Sequence, residues 1–351
     1  MNVRSTQFSP SPSDDDALDS YEGYAARYDP AYEDGRYRRQ KKKANHKQKR
    51  SQEEIIETLT DESEGLEAGF AMTYRPARFE AIWLYSSLSG FYDRALITDV
   101  LSRVKGGKEA NVYRCAAHPS VGAPLVAAKV YRPRKFRNLR NDKRYREGRS
   151  LIDSDGKTLN ERDTRLKRAV EKGGSFGSEL AHTSWLMHEY ATLERLHAAG
   201  GAVPRPMASG ENALLMQFQG NAEQAAPTLH EIELAPAEAE PLFLEVMRNV
   251  ELMLGLGIIH GDLSAYNILY WEGKITLIDF PQVVDVARNP HAREILFRDV
   301  ARVCDYFRRQ GVACNSESLA DNLWHRYTLN RTPMEVLADL SRLEETDAEE
   351  E

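Results

Sequence analysis

The sequence has little cysteine and no long apolar run. Its three cysteines, Cys115, Cys304 and Cys314, are widely separated, odd in number and outside any metal-ligand spacing, which argues against a disulfide framework or a zinc site. No apolar stretch reaches the roughly 18 residues of a membrane-spanning helix, and the first residues lack the apolar core of a secretory signal. We therefore expect a cytoplasmic protein with reduced thiols and no membrane partner.

Charge is distributed unevenly along the 351 residues, although the net charge is only −7. Acidic residues crowd both ends, whereas residues 36–50, RYRRQKKKANHKQKR, are almost all basic or polar. Most such runs are simply solvated. The same charges also suit the phosphates of RNA or of a ribosomal particle, and both interpretations stay open.

Changes in composition divide the chain. Residues 1–75 hold too little aliphatic surface to fold and are predicted to form a disordered charged tail, and residues 344–351, EETDAEEE, an acidic one. Between them we expect a strand-rich part at 76–216 and a helical part at 217–343. The charged residues 132–174 are too long for an ordinary connection, which predicts that some of them form a mobile loop.

Periodicity predicts the elements of both parts. A docking helix is expected at 76–93, and the strand-like runs are ALITDVLSRV, NVYRCAA, PLVAAKVY and ALLMQF. Helices are expected over HTSWLMHEYATLERLHAAGG, EAEPLFLEVMRNVELMLGLG, HAREILFRDVARVCDYFRRQG and TPMEVLADLSRL.

The stretch HGDLSAYNILYWEGKITLIDF, residues 260–280, reads as a hairpin with polar residues at its open end. Paired antiparallel residues lie about 5 Å apart, so Asn267 before the first strand and Asp279 after the second should lie side by side. Two oxygen ligands suit a hard cation such as Mg²⁺, and Asp262 on the same loop is placed to orient a hydroxyl for attack. The alternative is that these are ordinary turn and cap residues.

Lys129 lies in the apolar strand VAAKVY, where its charge needs a partner. Glu189, in the predicted helix that follows, is the candidate; the alternative is an edge-strand lysine that extends its amine into solvent. The order of parts favours the first interpretation. A lysine strand, a helix with a glutamate, a strand, a helix and an HGD loop follow each other as in a protein kinase, where this lysine contacts nucleotide phosphates.

The quoted segments KGGKEANVY, AAKVY, VPRPMASGENALLMQF, IIHGDLSAYNIL and LIDFPQVVD together resemble the RIO family of atypical serine/threonine protein kinases, as a bacterial member, from about Leu96 to Gln310. Aminoglycoside and choline phosphotransferases share the HGD, Asn and Asp signature, but the combination of GKEANVY with IDFPQ is specific to the RIO pattern. The resemblance implies an α+β, two-lobed protein-kinase-like fold, with a small β-rich N-lobe and a helical C-lobe, that lacks the activation segment and the peptide-binding helices.

The resemblance also implies roles for individual residues. Asp262 would be the catalytic aspartate, with Asn267 and Asp279 binding the metal and Asp279 also a candidate acceptor of a transient phosphoryl group. The nucleotide-binding residues would be Lys129 with its partner Glu189, the phosphate loop Gly106 and Gly107, and Met216, Gln217 and Gln219 around the adenine. The loop departs from the usual G-x-G-x-x-G and has Lys105-Gly106 where the family more often has Ser-Thr; Gln217 replaces a common Glu.

The implied function is transfer of phosphate from ATP, with Mg²⁺ or alternatively Mn²⁺, to serine or threonine of a protein substrate or of the chain itself, or ATP hydrolysis as a switch. Two alternatives remain. One is a ribosome- or RNA-associated assembly factor in which ATP sets the conformation, and this is favoured by residues 36–50 and by the role of archaeal and eukaryotic relatives in small-subunit maturation. The other is a small-molecule phosphotransferase of the aminoglycoside or choline kinase type.

Overall fold

The computed structural model describes residues 72–76, 78–107, 109–132 and 175–329. The chain divides into two compact units, and the division runs through the third strand. Described residues up to Pro124 and from Ala128 to Arg132 belong to the first unit. Residues 125–127 and all described residues from Ser175 onward belong to the second.

The first unit is a helix followed by antiparallel strands. Its described elements are α1 (Arg78–Asp93), β1 (Ile97–Gly106), β2 (Ala110–Ala117) and β3 (Leu125–Tyr131), with strand order β1-β2-β3. β1 and β2 pair antiparallel, with Val100 opposite Cys115 and Gly106 opposite Asn111. The helix and the three strands predicted for this region are confirmed.

Helical spacing explains how α1 packs in the first unit. Leu84, Leu88 and Phe91 recur every three or four residues, the spacing of one helix face, and they are buried together with the adjacent Trp83. The Trp83 indole Nε1 donates a hydrogen bond to the Tyr131 carbonyl at 3.0 Å, which satisfies the polar atom of a buried ring. This helix is therefore part of the first unit's core.

The second unit combines short strands with the longer helices. Its elements are α2 (Ser175–Ala198), β4 (Pro206–Ser209), β5 (Ala213–Gln217), α3 (Pro236–Gly255), β6 (Ile258–Ile259), β7 (Ile268–Trp271), β8 (Lys274–Leu277), β9 (Val284–Asp285), α4 (Ala292–Arg309) and α5 (Ser316–Trp324). Its residues 125–127 are the first part of β3, and the strand order continues β3-β5-β4, while β6 pairs with β9 and β7 with β8. An α+β fold with a sheet in the N-terminal part and helices in the C-terminal part is thus confirmed.

Apolar stripes on α3 and α4 supply much of the second unit's core. α3 ends at Gly255, as predicted, and buries Val246, Val250 and Met253. α4 buries an apolar stripe that runs from Leu296 to Phe307 and also contains two charged residues, Asp299 and Arg302. Charged residues at core positions require partners, and these two lie beside the HGD loop described below.

The predicted hairpin at 268–278 is present with a tighter turn than expected. Trp271 pairs with Lys274, so that Glu272 and Gly273 form a two-residue connection in place of the expected four. Both have positive φ, 48° and 77°, as a type I′ turn requires to match the twist of its strands.

Some elements were not anticipated, and some predicted segments cannot be compared. β4 and α5 were missed, although Asn315 before α5 is a recognisable N-cap that accepts a hydrogen bond from the Ser318 amide at 2.9 Å. Within the predicted tail, the Thr73 amide donates to Asp99 at 2.7 Å. Residues 1–71 of that tail, the predicted loop beyond Arg132 and the segment from 330 onward lie outside the described residues. Among the helices that the structure describes, none has the length and apolar content needed to cross a membrane.

The environments of the three cysteines predict unequal reactivity. Burial raises the pKa of the Cys115 thiol to about 12, and burial with the nearby Cys314 raises the pKa of Cys304 to about 12. At pH 8 the thiolate fraction of each would be roughly 10⁻⁴, and the thiolate is the reactive form. We expect Cys314, which is partly exposed, to be alkylated first in the folded protein and the other two only in denaturant. Mass spectrometry after timed iodoacetamide exposure measures this, with Cys314→Ser as the control; equal native rates for all three would contradict the packing.

Candidate active site

The open end of the hairpin brings two segments together. They are the HGD loop, which begins with His260, Gly261 and Asp262, and the IDF segment, residues 278–280. The Ile278 amide donates to the Asn267 carbonyl at 3.0 Å, which extends the β7–β8 register by one pair beyond the strands. Asp279 follows at once with φ of 72°, a left-handed conformation that Asp tolerates better than most residues. The chain therefore leaves β8 abruptly next to Asn267.

The side-chain amide of Asn267 has a defined orientation. Its Nδ2 lies 2.9 Å from the Asp262 carbonyl and 3.1 Å from Asp262 Oδ2. Both partners are acceptors, so the amide nitrogen must face them and the Oδ1 atom points elsewhere. Asn267 thus joins the aspartate of the HGD loop to the hairpin and presents an oxygen of the kind that hard cations prefer.

Helix α4 holds the other side of the HGD loop. The Gly261 amide donates to Asp299 Oδ2 at 2.8 Å, and Arg298 donates to the Gly261 carbonyl. Arg302 Nη1 donates to Asp262 Oδ1 at 2.7 Å, with both side chains largely buried. Three side chains within one turn of helix therefore contact two consecutive loop residues.

His260 connects the start of the loop to the end of β8. Its Nε2 lies 3.1 Å from the Ile278 carbonyl, and the Asp262 amide donates to its Nδ1 at 3.3 Å. A carbonyl only accepts and an amide only donates, so the contacts require the neutral tautomer protonated on Nε2. The ring also packs on Phe280, with centroids 4.6 Å apart.

Glu189 of α2 approaches the same segment. It is 1% exposed, and its Oε1 accepts a hydrogen bond from the Phe280 amide at 3.3 Å. Phe280 follows Asp279 directly, so Glu189 contacts the backbone beside the predicted metal ligand. The predicted residues Asp262, Asn267, Asp279 and Glu189 thus belong to one connected region of the second unit.

Lys129, Gly106 and Gly107 belong to the first unit. Lys129 is buried in β3, with its Nζ 5.5 Å from the centre of the Tyr131 ring. Gly106 ends β1, and a Cβ atom on Gly107 would lie 2.8 Å from the Ala110 carbonyl oxygen. No larger residue fits at position 107 without moving the backbone.

The loop that contains Gly107 is anchored by an asparagine that sequence reasoning did not single out. The Gly107 amide donates to Asn111 Oδ1 at 3.4 Å, and Arg132 Nη2 donates to the same oxygen at 3.2 Å. Asn111 Nδ2 donates to the Tyr113 hydroxyl, which donates to Glu80 of α1 at 2.7 Å. Burial and the Glu80 carboxylate raise the pKa of Tyr113, which keeps the hydroxyl protonated as a donor.

The predicted adenine-contacting residues lie at the end of β5. Met216 packs against the core of the second unit, and the Gln217 amide donates to the Arg205 carbonyl at 2.9 Å. The Gln219 carbonyl accepts from Ala226 at 2.9 Å. Gly220 follows with φ of 127°, so the chain turns sharply just after this segment.

The donor set at the hairpin end fits a hard divalent cation. Asn267 and Asp279 offer oxygen atoms only, and Mg²⁺ typically takes one or two carboxylates with phosphates and water. Across the described ranges, no group of three or more His, Cys, Asp or Glu side chains is placed to hold a metal. Asn267 and Asp279 are the candidate ligand pair for such a cation.

Arg298, Asp299 and Arg302 were missed although the sequence contained a signal. Positions 299 and 302 fall on the apolar stripe of α4. The exposed fraction of the whole residue is 2% for Asp299 and 4% for Arg302. A charged residue on a core-facing stripe is expected to pair with a buried group. The identity of the buried partner depends on which segment of the chain packs against α4 in the folded protein. No local sequence pattern reveals that segment.

Comparison with known families then identifies the chain's relatives. The family model described as the RIO domain matches residues 111–319, more than half of the chain. The chain belongs to the RIO domain family. The predicted membership is confirmed, and the match includes Asp262, Asn267 and Asp279 but begins after Gly107.

Curated relatives of this RIO chain include archaeal and fungal proteins. It is 33% identical over 219 residues to the RIO-type serine/threonine-protein kinase Rio1 of Haloferax volcanii, covering 62% of this chain and 66% of that protein. It is 30% identical over 251 residues to the serine/threonine-protein kinase RIO1 of Chaetomium thermophilum, covering 68% and 44%. This RIO chain thus spans just under two thirds of the first relative and less than half of the second.

A solved structure also aligns with the RIO chain. The Rio2 kinase–ADP/Mg²⁺–phosphoaspartate complex from Chaetomium thermophilum has a TM-score of 0.48 and 21% identity, covering 77% of this chain and 74% of that one.

Gly261 provides a test of how tightly the HGD loop of this RIO chain is packed. Its φ is 87°, and an added Cβ would lie 2.1 Å from the Gln282 carbonyl oxygen. Gly273 in the hairpin turn has φ of 77° with no atom within 4 Å of an added Cβ. Gly273→Ala should cost about 1–2 kcal/mol of backbone strain, and Gly261→Ala distinctly more because backbone must also move. Equal losses of unfolding free energy in urea denaturation would contradict this packing.

Proposed function

We propose that this chain is an ATP- and Mg²⁺-dependent serine/threonine protein kinase of the RIO type. The observation that carries the proposal is the hydrogen bond between Asn267 Nδ2 and Asp262 Oδ2 at 3.1 Å, together with the backbone pairing of Asn267 with Ile278, the residue before Asp279. The curated relatives named above are called serine/threonine-protein kinases, which supports the same reaction class.

The roles of the three polar residues follow from their atoms. Asn267 Oδ1 and the Asp279 carboxylate would hold the cation, which when bound neutralises charge on the nucleotide phosphates; Mn²⁺ has the same ligand preference. Asp262 would orient the acceptor hydroxyl and receive its proton. Asp279 is in addition a candidate for accepting the phosphoryl group transiently before it passes to the final acceptor.

The residues proposed for nucleotide binding are the ones that the RIO resemblance implies. Lys129 would contact the phosphates, and the amides of Gly106 and Gly107 would face the phosphates. Met216 would line the back of the adenine pocket. The Gln217 amide and the Gln219 carbonyl are already used internally, so we assign adenine recognition to the Gln217 carbonyl and the Gln219 amide.

The acceptor is proposed to be serine or threonine, on another protein or on this chain. If water takes that place, the same residues make the chain an ATPase whose nucleotide state sets its conformation. A small-molecule phosphotransferase is the weaker alternative, because the match to the RIO domain covers Asn111 to Leu319. Incubation with labelled ATP and a basic protein substrate, an aminoglycoside or choline separates these outcomes.

Substitutions at Asp262 and Asp279 test whether Asp262 acts on the acceptor hydroxyl and Asp279 on the cation. Asp262→Ala should leave ATP affinity nearly intact and lower phosphoryl transfer by roughly 10²-fold or more, the scale of a positioned acid or base. Asp279→Ala should weaken Mg²⁺-dependent ATP binding as well as turnover, because a cation ligand is lost. Calorimetry with and without Mg²⁺ gives the affinity, and phosphate release gives turnover.

The controls for this experiment separate chemistry from folding. Asp262→Asn keeps the volume beside buried Arg302 and avoids an empty site. Asp285→Ala removes a carboxylate that accepts hydrogen bonds from the Ala287 and Arg288 amides, and it should change neither quantity by more than about 3-fold. Normal turnover by Asp262→Ala would exclude the proposed mechanism.

RNA or ribosomal contact through residues 36–50 is a separate proposal that rests on their charge. Phosphate contacts release counterions, so affinity for a short structured RNA should fall steeply with salt, by about 0.9 log units per log unit of salt for each phosphate neutralised in a duplex. Replacing the Lys and Arg residues of 36–50 with Gln should flatten that slope. Unchanged binding and slope, measured by fluorescence anisotropy, would eliminate this contact.

A further inference from the structure

The contact between Arg302 and Asp262 is unusual because both charges are buried. Their side chains are 4% and 12% exposed, and the Nη1–Oδ1 distance is 2.7 Å. Burying a charged group is unfavourable unless it is paired and hydrogen bonded. Such a pair adds little net stability compared with well-packed apolar residues. Its presence therefore calls for a reason beyond stability.

The contacts of Asp262 indicate what the pair achieves. Oδ1 accepts from Arg302 and Oδ2 from Asn267, while the Asp262 amide donates to His260. Rotation of the carboxylate would break both side-chain hydrogen bonds at once. An ionised carboxylate has about four lone-pair sites, so it retains capacity to accept a hydroxyl hydrogen in a direction that these contacts define.

Helix α4 also positions the backbone that carries Asp262. Asp299 accepts from the Gly261 amide at 2.8 Å, and Arg298 donates to the Gly261 carbonyl. These residues lie within one turn of Arg302 on the same helix. The same helix therefore holds both the loop backbone and the aspartate side chain in place. Sites built on rigid helices and strands are more precise than sites on loops alone.

We propose that Arg302 is a positioning residue for phosphoryl transfer, and that it acts by orienting the carboxylate of Asp262 toward the acceptor hydroxyl. The proposal rests on the role given to Asp262 under the proposed function. Arg302 is not assigned a contact with nucleotide or acceptor. A planar guanidinium suits this role better than an ammonium, because its donors have fixed directions.

A purely structural role makes a different prediction. Removing one partner of a buried ion pair is strongly destabilising, so Arg302→Gln would also lower turnover if it only unfolded part of the chain. The test must therefore show that the effect of Arg302 passes through Asp262. A double-mutant cycle on turnover does this, because residues that act as a unit are not additive.

The experiment compares Arg302→Gln, Arg302→Lys, Asp262→Asn and each Arg302 change combined with Asp262→Asn. Arg293→Gln is the matched control: this arginine lies on the same helix and pairs with Asp321 at 3.0 Å, but on the surface. Thermal unfolding and ATP calorimetry are recorded for every variant, and assays run well below each unfolding midpoint. Turnover and the KM for ATP are measured with the acceptor that wild-type protein uses, or with water.

We expect Arg302→Gln to lower kcat by about 10- to 100-fold, the scale of a small misplacement of a catalytic group, with ATP affinity and KM changed less than about 3-fold. Arg302→Lys should recover part of that loss, and Arg293→Gln should behave as wild type. In the Asp262→Asn background neither Arg302 change should lower kcat further.

Three results would overturn the proposal. One is undiminished kcat in Arg302→Gln; another is a loss that multiplies fully with that of Asp262→Asn, which indicates a role independent of the aspartate. Should Arg302→Gln fail to fold, the Arg302→Lys cycle decides in the same way.

The third result is a wild-type protein that neither transfers nor hydrolyses phosphate, which would remove the proposed function and this inference together. An active wild type with an additive cycle removes only the inference.

Discussion

A buried carboxylate imposes the main constraint on this molecule. Asp262 is largely buried inside the second unit, where a charged group needs a partner, and Arg302 pairs with it at 2.7 Å. That requirement places a basic residue on the core-facing stripe of α4. It also explains why Asp299 and Arg298 contact Gly261, because the loop must approach the helix closely. Gly261 in turn lets the loop lie close to the backbone of Gln282, since an added Cβ would lie 2.1 Å from that carbonyl oxygen.

The hairpin completes the site from the other side. Its register places Asn267 opposite Ile278, and Asn267 turns its amide nitrogen toward Asp262. The oxygen of that amide and the carboxylate of Asp279 are then the atoms we assign to a cation. His260 contacts both the loop and the Ile278 carbonyl. The left-handed backbone at Asp279, with φ of 72°, is the kind of local strain that functional sites retain.

The first unit has a comparable network of hydrogen bonds around its glycine loop. Asn111 accepts from the Gly107 amide and donates to Tyr113, so the loop proposed to face phosphates is tied to β2. The Tyr113 hydroxyl donates a hydrogen bond to Glu80 of α1, the helix that was predicted as a docking helix. Buried polar chains of this kind are favourable only when every member is satisfied. Anchoring of the glycine loop therefore extends to a helix distant from it in sequence.

Local patterns were sufficient for most of the described elements, although not for β4 and α5, and they indicated candidate residues for the site. Apolar periodicity predicted α1, α3, α4 and the hairpin, because one face of each must be buried against its neighbours. The spacing of Asp262 and Asn267 around a short hairpin, with the RIO resemblance, indicated the candidate residues. The contacts of Arg302 and Asn111 could not be read in this way. Each depends on which segment crosses a helix or strand in the folded chain, and long-range packing sets that crossing, whereas short-range spacing carries no information about it.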